Sequence, residues 1–212
     1  MVADKAAITD TSVIPEGQLP PPITEALECA CARAGLDPSG ARLVRMHSNT
    51  VFYLPASDAV ARIAASGSDT ASRIAASLVA TNWLAERGFP AVRPKSGEAV
   101  EHSGLIVSFW EYEETIPTER SLPALAGLLR ELHSITDVGL NLRVMPSPLG
   151  GQAVDSHPDA FDGGDQAWLA SEIGECERRW SQMKPDLPHG LIHGDAHPNN
   201  MLYTATGALL CD

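Results

Sequence analysis

The sequence predicts an α+β chain in two parts, a strand-rich first half and a mainly helical second half. Three observations predict it. Residues 41–63 and 89–110 gather β-branched and aromatic residues around turn-like breaks. Between them runs a single long amphipathic stretch that ends at Gly88. Beyond Trp110 the apolar residues recur at helical spacing, interrupted by a Pro/Gly/Asp-rich segment over 141–164. At 212 residues the chain has the length for one domain or two small ones around an enclosed site.

Residues 1–22 end in QLPPP and show no periodicity, so they read as an arm. ITEALECACARAGL then carries a helical apolar pattern, with Thr24 as N-cap and Gly35 at the end. ARLVRMHSNTVFYLPASDAVARIA breaks at HSN and PASD, which gives three consecutive antiparallel strands. SDTASRIAASLVATNWLAERG is a helix with a Ser or Asp cap and an apolar stripe through Ile74, Leu78 and Trp83. FPAVRPKSGEAVEHSGLIVSFW supplies two more strands, the second apolar enough to be buried. SLPALAGLLRELHSIT and DQAWLASEIGECERRWSQM are helices, and MLYTATGALLCD is hairpin-like. Trp83 and Trp168 fall at core positions of their helices, and His133 is structural at the end of a packing helix. No internal repeat is visible.

Fifteen basic against 27 acidic residues give a net charge of -12, which argues against nucleic acid as a partner. Cys29, Cys31, Cys176 and Cys211 form no CxxC pair and read as reduced thiols. The start lacks a basic and apolar leader, and GLIVSFW is too short to span a bilayer, so no membrane association and a cytoplasmic location are expected.

The chemistry concentrates in LIHGDAHPNNMLY. His189, His193 and His197 recur every four residues, as zinc-binding histidines on a helix do. Pro188, Gly190, Gly194 and Pro198 break any such helix, and GLIHGD reads as a short strand entering a sharp turn. The other reading is His193-Gly-Asp195 followed by Asn200. Phosphoryl transfer to a hydroxyl needs a carboxylate beside the attacking oxygen, and an amide with a second carboxylate to hold magnesium. By chance H-G-D-x-x-x-x-N occurs about once in a thousand chains of this length. Twelve residues after Asn200 the hairpin delivers Asp212.

With NTVFYL, VARIA, NWLAERGFPAVRP, LIVSFW, LLRELH and HGDAHPNN in that order, residues 41–212 resemble the aminoglycoside phosphotransferases and related small-molecule kinases. The resemblance implies a two-lobed, protein-kinase-like fold with a five-stranded antiparallel sheet plus a helix as the nucleotide-binding N lobe. The expected divisions are an arm and helix over 1–40, the N lobe over 41–109 and the C lobe over 110–212. Asp195 is implied as the catalytic base, and Asn200 and Asp212 as magnesium ligands. Arg62, Asn49, Phe109, Trp110 and Tyr112 are implied to contact the nucleotide, which is ATP, with GTP as alternative. FWEY falls where the strand leaves the sheet, so its backbone would meet adenine. The acceptor is implied to be a hydroxylated small molecule, such as an aminoglycoside, a sugar, an amino alcohol or a macrolide, with a cationic one suiting the acidic chain. His193 is expected to brace the catalytic turn, and His197 either to contact substrate or to cap the loop.

The chain departs from that family in two places around the phosphates. Arg62 stands where a lysine is usual, and Ser77 where its glutamate partner is usual, with Glu86 as a possible replacement acid. RMHSNTVF contains no glycine. Family members continue past the position of Asp212 with helices that complete the C lobe, so the 212-residue chain alone is expected to be inactive. The alternative these departures suggest is a nucleotide-binding module without catalysis.

Overall fold

The computed structural model describes residues 20–46, 49–119, 121–136, 138–142, 160–184, 186 and 189–211. The chain divides into two compact units, Met1–Ile135 with Leu191–Asp212, and Thr136–Gly190.

In the first unit β1 (Arg42–Met46), β2 (Thr50–Leu54), β3 (Ala59–Ala65), β4 (Val100–His102) and β5 (Leu105–Glu111) form one antiparallel sheet in the order β1-β2-β3-β5-β4. Val, Phe, Tyr, Ile and Trp dominate β2 and β5, where branched and aromatic side chains pack well on a pleated surface. The sheet's two faces are unequal. Phe52, Leu54, Ala59, Ala61, Ile63, Val107 and Phe109 make one face and cluster with Ala26, Leu27, Ala30 and Cys31 of α1 (Pro21–Ala34). The other face carries Val51, Tyr53, Val60, Arg62, Ser108 and Trp110, as alternation requires.

Helix α1 begins earlier than its sequence suggests. A proline at its first turn pre-sets the helical φ, so Thr24 lies inside the helix and caps nothing, while Gly35 closes it in the left-handed conformation at φ 68°. Helix α2 (Ser68–Glu86) starts after Gly67 and places Asp69 in its first turn, where a carboxylate suits the helix dipole. Its far end joins a second core. Leu84, Phe89, Ala91, Met201 and Leu210 pack with Leu125, Leu128 and Leu132 of α3 (Leu122–His133), and Trp83 lies half-buried at the margin. His133 ends α3, whose first turn is capped by the Ser121 hydroxyl accepting from the Ala124 N–H.

Strands β6 (Met201–Thr204) and β7 (Gly207–Leu210) form the expected hairpin. Backbone bonds fix it to the segment after α2: Val92 N–H donates to Leu210 O, and Leu210 N–H to Pro90 O, each at 2.9 Å. Residues 191–193 join no ladder; Leu191 N–H makes a single backbone bond to Ile135 O. The apolar run there is too short for a strand once a partner is lacking.

The second unit contains α4 (Gly163–Gln182), capped by the Asp162 carboxylate accepting from the N–H groups of Gly164 and Asp165. Trp168, expected in the core, is 61% exposed, because no described residue of α4 is buried. Among the described residues no helix is long and apolar enough to cross a membrane.

Candidate active site

The loop between Leu191 and β6 is built on one glycine. Gly194 has φ 87°, a left-handed conformation that a side chain disfavours, and this turn presents Asp195 to solvent with its side chain 79% exposed. His193 lies beneath the turn. Its Nδ1 accepts from the Asp195 N–H at 3.4 Å and its Nε2 meets Cys211 O at 3.2 Å, so the ring carries its proton on Nε2 and links the turn to the end of β7.

His197 caps the following turn. Its Nδ1 accepts from the Asn199 N–H at 3.1 Å, and Pro198–Asn200 form a 3₁₀ turn closed by Asn200 N–H donating to His197 O. The His197 Nε2 lies 3.7 Å from Asp195 Oδ2. Of the two roles open to His197, capping is the one its geometry displays. Asn200, only 4% exposed, turns its amide nitrogen to Asp195, donating to the backbone O at 2.9 Å and to Oδ2 at 3.2 Å. Its Oδ1 has no hydrogen-bond partner among the described residues.

The loop and β7 close on each other through Cys211 N–H donating to Asn200 O at 3.0 Å. Burial pushes the Cys211 thiol up to about 11, against the opposing charges of Arg45 and Arg62. Those two arginines therefore lie near the end of β7. Arg62 itself has its guanidinium pKa lowered, first by burial and then by the like charges of Arg45 and Arg73, with Cys211 opposing.

The sequence-predicted residues thus separate into groups. Asp195 and Asn200 are in direct contact, and the Arg62 charge acts on Cys211 at the strand end bonded to Asn200. Asn49 borders β2 on the short connection from β1. Tyr112 stacks on Tyr53 with ring centroids 4.2 Å apart, and the Trp110 indole N–H donates to the Ser108 hydroxyl at 3.0 Å. Phe109 is fully buried on the α1 side, and its carbonyl accepts from Lys95 N–H, so neither its ring nor that oxygen is on the Arg62 face. Asp212 lies outside the described residues. Glu86 bonds Asn82 at the far end of α2, away from Arg62, and the Ser77 carbonyl accepts from the Thr81 hydroxyl. The every-fourth histidines are not on a helix, and no group of three His, Cys, Asp or Glu able to hold a metal occurs among the described residues.

Sequence reasoning did not find Arg45 or the tie between Tyr203 and Ser121, whose N–H donates to the Tyr203 hydroxyl at 2.6 Å. Both depend on register and long-range packing that no local pattern announces.

The five-stranded antiparallel sheet with its helices gives an α+β fold of the protein-kinase-like kind. Residues 41–211 match the phosphotransferase enzyme family, and the protein belongs to it. No curated protein matches the sequence significantly. Among solved structures, the aminoglycoside phosphotransferase APH(3'')-Id from Streptomyces rimosus is 16% identical with a TM-score of 0.55, the match covering 90% of this chain and 76% of that one. The aminoglycoside-3'-phosphotransferase of type VIII is 19% identical with a TM-score of 0.53, covering 85% and 71%. The spectinomycin phosphotransferase APH(9)-Ia, solved with ADP and spectinomycin, is 15% identical with a TM-score of 0.51, covering 90% and 67%. At such identities the likeness is one of fold.

Proposed function

We propose that the protein transfers the γ-phosphoryl group of ATP, with GTP as the alternative donor, to a hydroxyl of a small molecule, with Mg²⁺ required. The observation that carries the reading is the Asn200 amide bonded to both the backbone carbonyl and the carboxylate of Asp195. Val60 and Trp110, paired with each other on the Arg62 face of the sheet, would offer an apolar surface to a purine.

Asp195 has the position of a base. Asn200 occupies Oδ2, so Oδ1 is left to receive the acceptor's proton as its oxygen attacks phosphorus. High exposure lets a bulky acceptor reach it. Arg62 would hold phosphate oxygens as a planar donor fork rather than as the point charge of a lysine. Asn200 Oδ1 is a hard oxygen held in place by the amide's two bonds to Asp195, which fits Mg²⁺, with Asp212 as the second ligand. When bound, the ion would offset charge on the phosphates. The adenine edge is assigned to backbone beyond Trp110, around Glu113, since the Phe109 carbonyl accepts from Lys95 N–H and the Tyr112 N–H donates to Asp58 O. Burial, then the Glu111 charge, raise the Glu113 carboxyl above its ordinary range, with Arg93 opposing.

The lobes of this reading are residues 41–109 and 110–212, with a cytoplasmic location and a hydroxylated acceptor. The net charge of -12 favours a cationic acceptor and disfavours nucleic acid. Streptomycin and spectinomycin in the solved neighbours support the acceptor class. The second reading, nucleotide binding without transfer, draws on Ser77 in place of an acid.

The test is ATP consumption with Mg²⁺ across a panel of aminoglycosides, amino alcohols, sugars and macrolides, for the full-length protein and for its Asp195→Asn variant. Turnover lost by about 10²- to 10⁴-fold in the variant, with nucleotide affinity unchanged, is expected. ATP binding with no acceptor phosphorylated would favour the second reading.

A further inference from the structure

Strand β1 contains an irregularity whose effect is to re-aim one arginine. Arg42 pairs with Tyr53 and Leu43 with Phe52, but the register then shifts, so that Arg45 pairs with Val51 and Met46 with Thr50. An unbroken register would set Val44 opposite Val51 and Arg45 opposite Thr50. The extra residue moves Arg45 from the side of Leu43 and Phe52, which α1 covers, to the opposite side.

There Arg45 joins a row. Val51 pairs with Arg62, and Arg62 with Ser108. Directly paired residues of antiparallel strands share a face, so Arg45 and Arg62 project together, about 10 Å apart at their backbones. Both guanidinium side chains can converge across that span. Both charges act on the Cys211 thiol, whose backbone N–H is bonded to the Asn200 carbonyl. Arg73 also acts on Arg62 and is paired with Asp69 at 3.7 Å on α2.

We infer that Arg45 is a phosphate-binding residue, which with Arg62 holds the polyphosphate of the nucleotide in place of a glycine-rich turn. The inference rests on the proposed phosphotransferase reading for the identity of the ligand. A glycine turn grips phosphate with backbone N–H groups because nothing obstructs close approach. RMHSNTVF has no glycine to offer. A guanidinium supplies several donors in a fork that matches phosphate oxygens and reaches them from a strand, without needing the backbone to approach.

The experiment is calorimetric titration of the full chain and of Arg45→Gln, Arg45→Lys and Arg33→Gln with ATP, AMP and inorganic tripolyphosphate. Arg33, exposed in the last turn of α1, controls for the lost charge alone. Arg45→Gln should weaken ATP and tripolyphosphate about tenfold, as loss of a charge-assisted bond does, and leave AMP within about twofold. Arg45→Lys should recover part of the loss, and Arg33→Gln should change nothing. Unchanged ATP and tripolyphosphate affinity in Arg45→Gln would overturn the inference, as would an equal loss for AMP. Tripolyphosphate bound through Arg45 without any nucleotide binding would uphold the anion site and overturn the nucleotide reading, whereas a wild-type chain that binds neither would overturn both.

Discussion

Replacing Asn200 by alanine tests whether this side chain holds the turn after Gly194 together. The substitution deletes two hydrogen bonds to Asp195, at 2.9 Å to its carbonyl and 3.2 Å to its carboxylate. The bond to the carbonyl joins neutral groups at a buried site and contributes about 1 kcal/mol. The carboxylate is 79% exposed, so water replaces the lost donor and the second bond is discounted to about 0.5 kcal/mol. Truncating a side chain that is 4% exposed adds a small cavity term of about 0.5 kcal/mol. The total is about 2 kcal/mol, or a midpoint lowered by about 4–8 °C for a chain this long. Asp195→Ala should cost only about 0.5 kcal/mol, because the Asn200 bond to the backbone carbonyl survives. Urea unfolding of the three proteins with unchanged m values provides the comparison. If Asp195→Ala proves as destabilising as Asn200→Ala, the carboxylate bond carries the turn and the reasoning from exposure is wrong.

Further outcomes follow from the same loop and from the thiols. His197→Asn keeps an acceptor for the Asn199 N–H and should melt close to wild type, whereas His197→Ala should lose about 1 kcal/mol; equal losses by thermal denaturation would show that the cap is not what His197 contributes. Gly194→Ala should cost about 1–2 kcal/mol by the same measurement because φ is 87°, and a neutral result would mean the turn relaxes without strain. Cys31 and Cys211, both raised to about 11 by burial, should resist alkylation at pH 8 while exposed Cys176 reacts, as read by peptide mass spectrometry. Since their folded pKa values lie above the ordinary 9.0, the stability they contribute is intact below about pH 9 and falls as pH rises towards 11. Greater stability at pH 10.5 than at pH 8.5 would contradict that sign.

The sequence by itself determined the order of elements, since period-2 and period-3.6 patterns are local properties of the chain. The contact in the loop is local as well: Asp195 and Asn200 are five residues apart, short enough for one turn and one 3₁₀ segment to bring them together. Gly35 and Gly194 were legible for the same reason, each answering to a backbone angle at its own position. What lay beyond was set by register and packing. Trp168 has helical spacing in sequence, but exposure depends on what meets the helix face. Phe109 is next to Trp110 in the chain, yet strand alternation puts them on opposite faces, and only pairing with β3 tells which face α1 covers. Arg45 was the least legible, because a single extra residue in one strand reverses the side of every residue after it. That decision is made between strands, where the ladder and the core under α1 settle which residue of β1 is extra, and no run of residues within β1 records it.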